Sequence, residues 1–216
     1  MHPSITKLAS IASDPITGPV GATDALYKWG KLGEELAEML ELKNGFYAYE
    51  SALLVRPLQN AHAPLGLLEW NATKTWKQNY VENLSDEFFF AEDIFGGQYC
   101  IHENKICTFD PETGNFEGMS SSLGAWANEV MADYHFRTGY PLAHEWQMAN
   151  APLVRGMRLL PKVPFVCGGK YEAENLYSLT DVKGMSFRAS IANQIRDLPD
   201  GAEIVLKNTD NPVLGS

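Results

Sequence analysis

Long apolar runs are missing from this sequence. No stretch approaches the roughly 18 to 20 residues needed to cross a bilayer, and Met1-His2-Pro3-Ser4 opens the chain without the basic flank and apolar core of a secretory signal. No membrane partner is therefore expected, and the cytoplasm is the expected compartment. Cysteine is scarce as well: three in 216 residues, an odd number too small for a disulfide framework and in keeping with a reducing environment. The sequons Asn71-Ala72-Thr73 and Asn83-Leu84-Ser85 carry no consequence there, because glycosylation needs a secretory route. Repeats and low-complexity tracts are absent, and no linker-like change of composition divides the chain. With 45% apolar and 20% charged residues, the expectation is one globular domain over residues 1–216. Such a length buries roughly 70% of its unfolded surface.

Catalytic signatures are equally scarce. Gly168-Gly169-Lys170 lacks both the upstream glycine and the Ser or Thr after lysine that a phosphate loop requires. The histidines, His2, His62, His102, His135 and His144, include no pair at zinc-ligand spacing, and His135 between Tyr134 and Phe136 reads as a core or rim residue. Cys100, His102 and Cys107 are the best metal candidates, but a tetrahedral site wants a fourth ligand and closely paired cysteines, so no metal is expected. Glu92-Asp93 is the carboxylate pair to weigh for hydrolysis, yet neighbours on a strand point to opposite faces. Ser120-Ser121-Ser122 reads as a helix entry, since no Gly-x-Ser-x-Gly elbow surrounds it. The expectation is a protein without catalytic residues and without a cofactor, a hydrolase being the third reading.

Basic residues are almost missing from residues 82–133, where Lys105 alone stands against 11 acids. The preceding segment holds 8 acids and 7 bases and the following one 8 and 9, so the net charge of −10 is local to that window. Such a field repels phosphates, which argues against nucleic acid, and it steers a basic protein towards the chain. A nuclease-type partner, whose own active site binds phosphate, suits it best. The competing reading is an ordinary solvated surface. Glu92, Asp93, Glu103, Asp110, Glu112 and Glu117, in or beside turns and strand ends, form the expected contact set. A monomer and a homodimer both fit.

Apolar periodicity supplies the elements. Residues 1–22, rich in Pro, Gly, Ser and Thr, are expected to wrap loosely. Leu26, Trp29, Leu32, Leu36, Met39 and Leu40 recur at helical spacing, with Thr23 as N-cap and Asn44-Gly45 as stop. Residues 46–58 are ambiguous and end at Pro57. Asn71 is expected to cap a helix over 72–82 that places Trp76 and Tyr80 one turn apart. Antiparallel strands follow at 87–91, 98–102, 105–109 and 116–120. If Glu103-Asn104 forms a two-residue loop, Ile101 faces Ile106 on the inward side and Cys100 faces Cys107. Asp110-Pro111-Glu112-Thr113-Gly114 is a turn. Ser121 or Ser122 then caps a helix to about residue 137 that carries Leu123, Trp126, Val130 and Tyr134, and a shorter helix covers 142–149. Beyond Pro152 the pattern reads as strand 165–167, strand 176–179, helix 181–197 and strand 203–207. This strand–helix–strand extension, residues 152–216, is expected to close onto the same core.

The order of these features carries a family resemblance. Phe88-Phe89-Phe90 ahead of Phe95-Gly96, a strand pair closing on Asp110-Pro111-Glu112-Thr113-Gly114, and the serine-rich entry to the helix of Trp126 resemble the SMI1/KNR4 family, the SUKH superfamily, over about residues 86–130. The stretch from Asn44 to Leu53 and Leu67-Leu68-Glu69-Trp70-Asn71 are similar to long bacterial members. The resemblance implies an α+β domain with a central antiparallel sheet flanked by helices and no catalytic residues. In bacteria such a domain serves as the immunity protein that binds and neutralises a cognate toxin. Fungal members imply the alternative, a regulatory scaffold that recognises an endogenous partner.

Overall fold

The hairpin at the centre of the acidic window lies within the main sheet, flanked by a strand on each side. Strands β4 (Gln98–His102) and β5 (Lys105–Phe109) pair with Cys100 opposite Cys107 and Ile101 opposite Ile106. Between them Glu103 and Asn104 have φ of 48° and 58°, the double left-handed step that lets a two-residue turn match the strands' twist. The computed structural model describes residues 1–199 and 201–202. Within it, β1 (Phe46–Ala48), β2 (Leu53–Val55), β3 (Phe88–Glu92), β4, β5 and β6 (Phe116–Ser120) form one antiparallel sheet in sequence order. The ambiguous residues 46–58 are thus a hairpin, and its turn, Tyr49-Glu50-Ser51, places three consecutive non-glycine residues at positive φ.

Both faces of this sheet are buried. Alternation sends Phe88, Phe90, Ile101 and Ile106 towards one core and Phe89, Cys100, Cys107 and Phe109 towards another. The isoleucine side is therefore not the sole inward side. Helices α1 (Pro3–Ile11), α2 (Gly30–Leu42) and α4 (Leu123–Ala132) supply the first core. The second is filled by Trp70 from α3 (Leu67–Trp70), Trp76, Tyr80 and one side of α7 (Asp181–Ile195), through Met185, Ala189 and Ala192. Two short helices, α5 (Tyr134–Thr138) and α6 (Tyr140–Ala149), and a hairpin of β7 (Met157–Pro161) with β8 (Leu176–Thr180) complete the described chain. The fold is α+β.

Several elements depart from the sequence expectation. Residues 3–11 are helical, because His2 accepts the amide of Ser4, Pro3 starts the helix, and Ile5 and Leu8 bury against α4. The 3-10 turn Asp24–Trp29 precedes α2, and Thr23 gives it no cap; its hydroxyl meets that of Tyr27. No helix spans 72–82. Asn71 instead clamps β3, donating to the Phe89 carbonyl and accepting the Phe89 amide, while Lys77–Asn79 forms a 3-10 turn. Ser122 caps α4 by accepting the amide of Ala125, but the helix breaks at Asp133. Residues 165–167 are a 3-10 turn, and β8 pairs with residues 157–161 instead. The strand expected at 203–207 lies outside the described residues.

Candidate functional site

The acidic window does not form one exposed field, because much of its charge is neutralised from elsewhere in the chain. Glu82 pairs with Arg196 and Glu129 with Arg137, both from beyond the window, while Glu87 meets His102 within it. Glu92, fully buried, sits between two arginines: Arg56 Nη2 donates to its Oε2 at 2.9 Å and Arg158 Nε to its Oε1 at 2.7 Å. The same Arg56 nitrogen donates to Asp181 at 2.9 Å, and its guanidinium lies 3.4 Å from the Trp70 ring. Gln98 closes the group, donating to Glu92 and accepting from the indole of Trp70. Burial pushes the Glu92 carboxyl up, but Arg56 and Arg158 overturn that and hold it below the ordinary range. This network joins β3, β4, β7 and α7 with Arg56, the residue that follows β2; Glu92 is a structural residue, not a surface contact.

Beside the network opens a cleft of about 740 Å³. Of the expected contact residues, the structure brings Asp93, Asp110, Glu112 and Glu117 to its lining, while Glu103 stands apart at the exposed β4–β5 turn. Asp110 and Glu117 are exposed and Asp93 is half-buried. Glu112 is buried and so is no freely exposed docking carboxylate: its Oε2 accepts the amide of Val166, and its Oε1 lies 3.8 Å from Nε of buried Arg188, too long for a hydrogen bond. Neither of those two atoms has a hydrogen-bond partner. Arg188 also fills the space beside Gly96, where a β-carbon would come within 2.7 Å of its Nη1.

The opposite wall is aromatic. Phe165 and Tyr171 stack at 4.0 Å with Phe95 edge-on to Phe165, and Phe136 completes the mouth. Tyr171 is 65% and Phe136 78% exposed. Arg188 and these aromatics escaped the sequence reading. The one local signal was a basic residue set within the apolar stripe of α7; the aromatics come from three separate segments and carry no spacing.

No family model matches the chain, and no curated protein matches it. Among solved structures it is similar to the crystal structure of Atu4351 from Agrobacterium tumefaciens, with a TM-score of 0.58 and 13% identity over 88% of each chain. That likeness carries the fold. No helix among the described residues is long and apolar enough to cross a membrane, and no cluster of three or more His, Cys, Asp or Glu among them is placed to hold a metal. The carboxylate pair Glu92-Asp93 splits between the interior network and the cleft, so the two do not face one substrate.

Asp93 yields a pH prediction. Burial pushes its carboxyl up to about 7, against the pull of Arg188 and of the Gly97 and Phe95 amides that its Oδ1 accepts. A folded value above the unfolded one near 4 means the folded state holds the proton more tightly. This contribution to stability is therefore full below about pH 4 and is lost as pH rises to about 7. Asp93→Asn keeps the amide acceptor and removes the charge, so at pH 8 it should stabilise the fold by about 1 to 3 kcal/mol, shrinking towards zero at pH 4. Urea denaturation at the two pH values checks this, and a destabilised variant at pH 8 contradicts it.

The thiols give a second. Cys100 and Cys107 are free and buried, whereas Cys167 is half-buried, and burial pushes all three thiols up. A chromogenic disulfide reagent should find one fast thiol in native protein, removed by Cys167→Ser, and the other two only on unfolding. Rapid labelling of all three would mean that the β4–β5 hairpin opens readily.

Proposed function

We propose that this chain is a non-enzymatic immunity protein that binds and neutralises a cognate bacterial toxin, with the partner docking over the acidic and aromatic cleft. The observation that carries this reading is the combination at one concave surface of exposed Tyr171 and Phe136 with the exposed carboxylates Asp110 and Glu117. Exposed aromatics in a concavity are the anchors from which protein interfaces draw most of their affinity, and a carboxylate rim adds steering of a basic partner. The resemblance over residues 86–130 supplies the toxin as the partner class, and charge complementarity favours a basic, nuclease-type effector.

The experiment is co-expression with the product of the adjacent upstream gene, followed by surface plasmon resonance at two ionic strengths. The complex should form, and Asp110→Asn with Glu117→Gln should slow association and flatten its salt dependence while the fold persists. Absence of a complex, with growth unprotected when the neighbour is expressed, would remove the immunity reading. Unchanged association rates would remove the acidic rim from it.

A further inference from the structure

We infer that the cleft is a receptor for a single arginine side chain presented by the partner, an assignment that rests on the protein-binding reading above and names the chemistry of its contact. The charge inventory sets the sign of the occupant. Four carboxylates line the cleft, Asp93, Asp110, Glu112 and Glu117, against Arg137 and Arg188 and a single histidine, His135. Arg188 sits between Glu112 and Asp93, and Arg137 lies 3.8 Å from Glu129 and 5.7 Å from the Phe136 ring. The surplus at the mouth is negative.

A second observation is an incompletely paired carboxylate in the cleft wall. Glu112 is only 4% exposed, yet its Oε1 has no hydrogen-bond partner. The cation beside it, Arg188, stands 3.8 Å away, so a buried acceptor here is held by charge without a hydrogen bond, and a costly pairing is left incomplete. Burial pushes this carboxyl up, against the pull of Arg188 and of the Val166 and Phe165 amides.

The aromatic wall selects the cation. Tyr171 stacks flat on Phe165 with their planes 4° apart, so one face of its ring is covered and held, and the rest of the exposed ring lies at the mouth with the carboxylates. A guanidinium is planar, weakly hydrated, lies on aromatic faces and carries five donors in a fork that fits carboxylates; an ammonium is compact and holds its water. Arginine therefore satisfies wall and rim together, and lysine only the rim.

The test uses the whole protein and two probes, hexa-arginine and hexa-lysine peptides, titrated by calorimetry. Hexa-arginine should bind at least about tenfold more tightly than hexa-lysine, and Tyr171→Ala combined with Glu117→Gln should weaken hexa-arginine by about tenfold or more. Both residues are exposed, so the variant should melt with the native protein, which a thermal scan verifies. Equal affinity for the two peptides, or an unchanged double variant, would overturn the arginine receptor and leave only diffuse attraction. The two readings fail separately. A toxin that binds the double variant as tightly as the native protein sinks the receptor and spares immunity, whereas arginine selectivity in a chain that captures no toxin sustains the receptor and sinks immunity.

Discussion

Replacing Glu92 with alanine is expected to destabilise the fold by about 3 to 5 kcal/mol, because it leaves Arg56 and Arg158 buried without the carboxylate between them. Asp181 would still face Arg56, but the described hydrogen bonds of Arg158 would then be limited to the carbonyls of Ser51 and Met157. The loss should exceed that from Glu103→Ala, a substitution of an exposed acid from the same window, which should change stability by no more than about 0.5 kcal/mol. Chemical denaturation of the two variants decides the matter: comparable small losses would mean that water reaches the arginines and the network is not closed. A triple replacement of Arg56, Glu92 and Arg158 by apolar residues of similar volume should recover much of the loss, since the cost lies in unpaired charge rather than in the absence of the pair.

Trp126→Ala is the other large effect expected. The indole is fully buried on α4, edge-on to Phe90 at 5.1 Å and to Tyr99 at 5.5 Å, where helix meets sheet. Emptying such a site costs about 3 to 5 kcal/mol, through lost transfer energy and the cavity left behind. For a domain of this size that is a fall in midpoint of roughly 10 °C, taking about 2 to 4 °C per kcal/mol. A variant with unchanged melting and lost partner binding would instead make the tryptophan an interface anchor, and its complete burial argues the other way.

The β4–β5 hairpin was legible because its information is local: a two-residue turn fixes register, and alternation then assigns every side chain to a face. Strand bounds at 98–102, 105–109 and 116–120 agree with the structure for the same reason. Helix α1 was hidden because its Pro and Ser content resembles a loop, while Ile5 and Leu8 gain their burial from α4, more than a hundred residues on. The expected helix over 72–82 failed in the opposite way: Trp76 and Tyr80 do meet, at 5.9 Å, but as part of an aromatic core that needs no helix to join them. The acidic window misled most. Counting charge along the sequence locates the acids, but it does not show that Arg56, Arg158 and Arg188 return from distant segments to meet them. Hence Glu92 and Glu112 moved from surface to interior, and Asp93, Asp110 and Glu117 line a cleft whose aromatic half is invisible in charge.

The bond from Arg56 to Asp181 spans 125 residues, and this has a consequence for the order in which the protein is made. The six strands of the main sheet have all left the ribosome by Ser120, long before α7 emerges. Until then Arg56 lacks one of its two carboxylates, and the tryptophan face of the sheet lacks the helix that covers it. A nascent chain halted ahead of Asp181 would therefore display Trp70, Trp76 and Phe89 to chaperones, and the finished sheet must wait for almost the whole polypeptide before it can be sealed.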